Sequence, residues 1–338
     1  MFVGAVLLRV VLAPLAAVVG VVVYIAYKIA VAPRLTGKQP NKVPTRSSKP
    51  FELYYFHDSL CSQKVRLFLA EKGLSDQVAS IHLDIGHYKH FQHLEPWYLA
   101  MDPNGTVPCL VHDAHPVLDS THIIKYLDGI GVGPMLAAPT EWADVIDVDT
   151  RPQAVGACEG FQTAVVVLSG QILRLSVEFF GVSDTFFALL RHPQPIVCLI
   201  RIINRLTGVH LDPPNVEKAL RETIPQNLAR IDKALSAHDF IAGDTITTAD
   251  IGVAPAFMRL ESLGLLDHFL ASAPNVQRWW VAMKARPSFA FAFVDPPAEY
   301  AVEHDKVKAG LLEFRRKIKA YGPFVVYGVK PPTPKHLL

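Results

Sequence analysis

Residues 54–66 read Tyr-Tyr-Phe-His-Asp-Ser-Leu-Cys-Ser-Gln-Lys-Val-Arg, and this stretch decides the fold around it. The aromatic-rich run 51–56 reads as a strand. A short polar turn follows. A helix with Val65, Leu67, Phe68, Leu69 and Leu74 at apolar positions then begins near Ser62. The Ser59 hydroxyl and the Cys61 thiol therefore stand at a helix N-terminus, where unpaired backbone N–H groups favour an anion or a thiolate. A hydroxyl there is also an ordinary N-cap, so the stretch takes its meaning from its neighbours.

Downstream, the helix over residues 62–72 closes at Gly73. Residues 79–85 alternate as a second strand, and residues 90–101 read as a short helix. Residues 108–112 and 116–118 are two strands joined by Asp113-Ala114-His115, and a further helix begins at residues 120–127. This βαβαββα order predicts a thioredoxin-like α/β domain over residues 51–130. Ser59-Leu60-Cys61-Ser62 replaces a C-x-x-C, which disfavours a redox thioredoxin. Residues 131–294 predict an all-helical domain. Within it, Thr247-x-x-Asp250 is a capping box, and a helix over 275–285 ends at Arg286-Pro287. The apolar stretch 165–206 is broken by Arg174, Glu178, Asp184 and Arg191, which predicts buried or amphipathic helices rather than a span. Residues 295–338 read as a tail, helical around 304–321 and then proline-rich.

Half of the 338 residues are hydrophobic, enough for two domains with a core. Lys and Arg (33) nearly balance Asp and Glu (31), so no general basic footprint for nucleic acid exists. Cys61, Cys109, Cys158 and Cys198 show neither disulfide nor zinc spacing, which predicts free thiols in a reducing compartment. Residues 10–27 carry no charge and extend apolar character past Lys28 to residue 32. That length predicts a single transmembrane helix within residues 1–33, with Tyr24 and Tyr27 as interfacial anchors. Lys28, Arg34, Lys38, Lys42, Arg46 and Lys49 follow with no acid before Glu52, and only Arg9 precedes the run. The globular part is therefore expected on the positive side, cytosolic or matrix. Residues 34–50 read as an extended basic linker able to lie on anionic headgroups.

Three further features carry chemistry. In Asn104-Gly105-Thr106-Val107-Pro108, the glycine permits a turn and the proline opens a strand. The position suits a cis peptide that turns the Val107 N–H and C=O outward toward another peptide. Asp119-Ser120 lies between a strand and a helix, with Ser120 as the expected N-cap. His93 stands ten residues before Pro103, in a segment shared with His82, His87 and His90. It reads either as a ligand or as one surface histidine among several, and the spacing matches no common metal site. Cys109 is expected to pack as a small hydrophobe.

The Ser59–Cys61 turn, Pro108 and the Asp119-Ser120 pair together resemble the glutathione-binding half of a glutathione S-transferase. The resemblance implies glutathione as cosubstrate, no metal, and a small apolar electrophile as second substrate between the domains. It implies that Val107, before Pro108, pairs with the cysteinyl amide. Asp119 and Ser120 would grip the γ-glutamyl end, and His93, as in theta-like members, the glycyl carboxylate. Ser59 would activate the thiol, as in zeta-like transferases and reductive dehalogenases with a similar Ser-x-Cys-Ser run. Cys61 is the other candidate, through a mixed disulfide, and a membrane-bound redox sensor ranks third. The run from His57 to Lys72 and Leu94-Glu-Pro-Trp-Tyr-Leu99 resemble the membrane-anchored ganglioside-induced differentiation-associated protein branch. That branch implies a mitochondrial membrane, with endoplasmic reticulum the other location. It departs from this chain in carrying its membrane helix at the C-terminus and in usually having Ser where Cys61 stands. A homodimer, or membrane-complex partners of a non-catalytic accessory subunit or scaffold, stays open at this point.

Overall fold

The computed structural model describes residues 42–85, 91–146, 158, 160–170 and 213–331. The expected span at 10–27, the linker up to residue 41, His87, His90, Cys198 and the stretch 171–206 lie outside the described residues. Among those that are described, no helix is long and apolar enough to cross a membrane.

Strands β1 (Phe51–Tyr55), β2 (Val78–His82), β3 (Cys109–His112) and β4 (His115–Leu118) form one sheet in the order β2-β1-β3-β4. β1 and β2 run parallel; β1–β3 and β3–β4 are antiparallel. Helix α1 (Leu60–Glu71) crosses between β1 and β2, and α3 (Ser120–Gly129) follows β4. This is the expected thioredoxin-like order. Gly73 does end α1, at φ +72. The expected helix over 90–101 is instead a 3₁₀ turn, Gln92–Leu94, and the short α2, Pro96–Leu99. Pro96 forces Glu95 into extended backbone (ψ 145) and divides the two. The β3–β4 hairpin turns on two residues, Asp113 and Ala114, both at positive φ.

Among the described residues, helices α4 (Ala143–Ile146), α5 (Phe161–Leu168), α6 (Pro213–Lys218), α7 (Ile224–Leu235), α8 (Thr248–Ser262), α9 (Leu266–Leu270), α10 (Pro274–Lys284), α11 (Pro287–Ala292) and α12 (Ala301–Val326) follow. The capping box that opens α8 is present on both sides, Thr247 and Asp250. Burial pushes the Asp250 carboxyl up, against hydrogen bonds from Ile241 N, Thr247 and Trp279 Nε1. One core runs through both domains, from Leu53, Leu67, Phe68 and Leu110 to Ile251, Phe257 and Trp279. Each such side chain contributes about 1.5–3 kcal/mol when buried. Polar pins join the halves. Arg286 holds Glu71 through two bonds of 2.7 Å, and buried Arg66 donates to the Phe291 carbonyl (3.0 Å from Nε).

Two segments are more integrated than their sequences suggest. Residues 42–50, expected as extended linker, strap the far face of the sheet. Val43 is buried with Tyr54, Tyr98 and Cys109. The Arg46 guanidinium lies 3.9 Å over Trp97. The Arg46 and Ser47 amides donate to buried Glu52, which also accepts from Tyr54 Oη at 2.9 Å. Lys49 Nζ reaches the Val78 carbonyl at 3.2 Å. Residues from 295 onward, expected as a tail, form a helix that closes the body: Phe314 and Ile318 join the main core, and Tyr300 and Val307 cover Phe56. That helix breaks at Gly322 (φ 77), before Pro323.

Candidate functional site

Strand register brings three turns to one end of the sheet. Tyr54 pairs with Cys109, and Cys109 pairs with Leu118. The end of β1, the start of β3 and the end of β4 are therefore neighbours. The turns attached there hold Ser59 and Cys61, then Val107 and Pro108, then Asp119 and Ser120. Residues far apart in sequence, Ser59 and Ser120 at the extremes, are side by side because the antiparallel ladder leaves them no alternative.

The first turn is built by side chains. Ser59, at φ −82 and ψ 120, caps α1 by accepting from Ser62 N at 3.3 Å. The helix thus starts at Leu60, two residues earlier than its apolar pattern suggests. Buried Ser62 Oγ accepts from Phe56 N (3.3 Å), and Gln63 Nε2 donates to the His57 carbonyl (2.8 Å). From the helical domain, Arg259 on α8 donates to the Asp58 carbonyl and pairs with its carboxylate at 3.0 Å. Ser59 and Cys61 are both half-buried.

The second turn depends on Asp102, which is fully buried. Its carboxylate accepts from Asn104 N (2.9 Å), Thr106 N (2.9 Å) and Thr106 Oγ1 (2.8 Å). The Tyr98 hydroxyl donates to the Thr106 carbonyl. Gly105 sits at φ +56, where an added Cβ would fall 2.7 Å from Leu94 Cδ2 and 3.0 Å from the His93 carbonyl. The turn therefore seats against the 3₁₀ segment that carries His93. The Val107–Pro108 peptide is cis. His93 itself is buried, 3% exposed, and is not the surface histidine of the alternative reading.

The third turn differs from expectation. Asp119, not Ser120, caps α3, accepting from Thr121 N (2.9 Å) and His122 N (3.3 Å). Asp119 takes φ +70 and ψ 129, a conformation costly for any residue with a Cβ. The strain tips the carboxylate over the helix start and leaves Asp119 exposed and Ser120 buried. Cys109 is buried among apolar neighbours, and burial pushes its thiol well up, so it packs as expected. Among the described residues, no group of three His, Cys, Asp or Glu side chains could hold a metal ion.

A cavity of about 180 Å³ opens beside the first turn, between the domains. Phe56, His57, Asp58, Met258, Phe293 and His304 are among its walls. Sequence reasoning missed the two imidazoles of its wall, His57 and His304, and the contact of His57 with His82. His57 Nδ1 lies 3.1 Å from His82 Nε2, and the His304 ring stands 5.2 Å from the His57 ring. Burial, then the neighbouring His82 and His304, push His57 down to about 2; burial, then Arg66, push His82 down to about 4. Burial and Lys308 also lower His304, against Asp295, which pairs with both at 3.4 and 3.0 Å. At neutral pH these rings are uncharged, and the wall joins apolar side chains to the charged Asp58, Asp295 and Lys308. Only the position of His57, two residues before Ser59, offered a local signal. Arg259 and His304 offered none.

Comparison with known proteins agrees with this geometry. Residues 58–130 match the profile of the glutathione S-transferase N-terminal domain, and residues 184–287 that of the C-terminal domain. Maleylacetoacetate isomerase of Pseudomonas aeruginosa is 39% identical over 241 residues, 70% of this chain and 93% of that protein. Glutathione S-transferase TCHQD of Arabidopsis thaliana is 24% identical over 243 residues, 70% of this chain and 87% of that protein. The human ganglioside-induced differentiation-associated protein 1-like 1 is 33% identical over 86 residues, only 25% of this chain and 22% of that protein. With a thioredoxin-like domain, a helical domain and a full-length relative of this identity, the chain belongs to the glutathione S-transferase family.

Proposed function

We propose that this chain is a membrane-anchored glutathione transferase that conjugates or reduces a small apolar electrophile with glutathione. The observation that carries the reading is the convergence of the three turns at one sheet end. Val107, beside the cis Pro108, presents free backbone to the cysteinyl unit of glutathione: its N–H and C=O have no hydrogen-bond partner among the described residues. Asp119, whose carboxylate already holds the Thr121 and His122 amides, takes the γ-glutamyl amine, and the Ser120 hydroxyl takes the α-carboxylate. His93 serves the glycyl end. Ser59 donates to the sulfur and stabilises the thiolate, the attacking species. Cys61 is the second candidate, acting by mixed disulfide. The electrophile occupies the cavity beside Asp58 and Met258, whose uncharged imidazoles and aromatic rings suit an apolar molecule.

The anchor is residues 10–27, with the globular part on the cytosolic or matrix side. The ganglioside-induced branch supports a mitochondrial membrane, and pairing into homodimers accords with the family. Titration calorimetry of glutathione into the chain from Lys42 onward tests the core of this reading; the strap rules out a later start. Ser120→Ala is expected to weaken binding by about 1–3 kcal/mol. A folded wild type that takes up no glutathione at millimolar concentration refutes it in favour of a scaffold.

A further inference from the structure

The strap over residues 42–50 lies outside the four-stranded sheet, which is complete without it. It is nevertheless pinned across the sheet. Val43 N donates to the Ala114 carbonyl at the β3–β4 turn (2.8 Å), and Lys49 Nζ reaches the Val78 carbonyl on β2 (3.2 Å). Buried Glu52 sets the register. One of its oxygens accepts from the Arg46 and Ser47 amides, the other from Tyr54 Oη. A strap out of register leaves that buried acceptor unsatisfied, which is costly.

Between those pins the strap walls a group of aromatic rings. The Arg46 guanidinium lies over Trp97 on α2. Trp97 stands edge-on to Tyr98, with ring centroids 5.6 Å apart, and Tyr98 stands edge-on to Tyr54 at 6.0 Å. Val43 shares the buried cluster of Tyr54 and Tyr98. Tyr98 is fully buried there, and its hydroxyl donates to the Thr106 carbonyl, one residue before Val107. Burial pushes that phenol well up, so it stays a donor. A tyrosine ring turns about only two torsions, so walls that confine the ring also fix its oxygen. Thr106 is therefore gripped twice. Asp102 holds its amide and hydroxyl from within the turn, and Tyr98 holds its carbonyl from the strapped face of the sheet. The other two turns have supports of their own: Arg259 holds the Ser59 turn, and the Asp119 carboxylate caps its own helix.

Resting on the glutathione reading above, we propose that Tyr98 is a positioning residue for the glutathione site and that the strap, through Val43 and Arg46, holds Tyr98 in place. Tyr98 fixes Thr106, and Thr106 fixes the Val107 backbone that meets the cysteinyl unit. A site that presents main chain to its ligand needs that main chain held to within about 0.5 Å by the groups behind it. The segment before the first strand is thereby tied to ligand affinity as well as to stability. Loosening it acts at Val107 and spares the turns at Ser59 and Asp119.

The test pairs titration calorimetry of glutathione with hydrogen exchange, both on the full chain. Tyr98→Phe keeps the ring and removes only the hydroxyl. It is expected to weaken glutathione on the order of fivefold and to speed exchange of the Asn104 and Thr106 amides, with the Thr121 and His122 amides of the Asp119 turn unchanged. Arg46→Gln with Val43→Ala should act in the same direction. Placing Arg46→Lys there instead of Arg46→Gln, which returns a cation to Trp97, should recover part of the loss. Should the double variants misfold, Tyr98→Phe decides alone. A role in stability only would loosen both turns together, or leave the affinity of the folded protein as it was; either result overturns the proposal. Equal glutathione affinity in the wild type and Tyr98→Phe removes the positioning role and leaves the transferase reading standing. A folded wild type that takes up no glutathione overturns that reading, and the positioning role with it.

Discussion

The turn at Ser59 and the turn at Asp119 are alike in position and opposite in construction. Both link a strand to a helix at the same sheet end, and both place an oxygen over the helix start. Asp119 makes its turn alone. One carboxylate caps two amides, at 2.9 and 3.3 Å, and the strained backbone at φ +70 is offset by that cap. Ser59 makes a single cap bond of 3.3 Å, and its turn is held from outside by Arg259 on α8. In the proposed mode, the charged end of glutathione would meet a turn fixed by its own sequence. The reacting sulfur would meet a turn fixed by the neighbouring domain, which also walls the cavity. On the proposed roles, binding of glutathione and the geometry of its activation should be separable by mutation.

The strongest challenge to that contrast is Arg259→Ala. Arg259 is 9% exposed and holds both the carbonyl and the carboxylate of Asp58. Its loss should lower stability by about 2–3 kcal/mol in chemical denaturation and raise hydrogen exchange at residues 57–62. Unchanged exchange there would show that the Ser59 turn needs no help from α8.

Acid should act on the same side of the molecule. His82 is held near 4 and His57 near 2, against an ordinary 6.5, so the native state keeps these rings neutral. Their stabilising effect is present above pH 6.5. It falls as pH drops from 6.5 toward 4, because the unfolded chain then binds protons that the native state refuses. With partial exposure of His82 discounted, the loss is roughly 1–2 kcal/mol. Unfolding free energies measured from pH 7 to pH 4.5 check the slope, which His82→Phe should flatten. An unaltered slope in that variant would assign the acid sensitivity elsewhere.

Asp119→Ala should cost about 1 kcal/mol through the lost cap, whereas Asp119→Asn should be close to neutral. Thermal denaturation of the pair decides whether that turn is self-supporting. The smallest stability effect is expected for Ser59→Ala, about 0.5 kcal/mol, since one long bond is lost. Its kinetic effect should be larger: slower conjugation at neutral pH, with recovery at high pH where the thiolate forms unaided, and Cys61→Ala nearly silent. Rates of both variants against pH with a model electrophile test this. A glutathione adduct trapped on Cys61, with Ser59→Ala fully active, would reverse the roles.

Much of both domains was legible locally, because the signals act over a few residues. Gly73 stops a helix, Thr247 and Asp250 form a capping box, and Asn104-Gly105 turns before Pro108. Boundaries failed where a side chain overrode periodicity. Ser59 begins a helix two residues earlier than apolar spacing implies, Asp119 takes the cap expected of Ser120, and Pro96 splits a helix that composition favours. The turn around Asp102 was open to reading too, since Asp-Pro-Asn-Gly is a turn sequence. Its importance shows only once the carboxylate is seen buried with three donors on it.

What the sequence determined by itself was the order of elements, the presence of the three turns and the residues they carry. Those follow from backbone preferences and from hydrophobic period, which are properties of neighbours in the chain. Only the tertiary structure decided that 42–50 is a strap and that the segment from 295 is a wall of the cavity rather than a tail. The same is true of Arg259 as the tie on the Ser59 turn. Each of these is a pairing across long sequence separation: Arg46 with Trp97, Val307 with Phe56, Arg259 with Asp58. Such pairs leave no local signature, because the free energy that forms them is released only when segments far apart in the chain have come together.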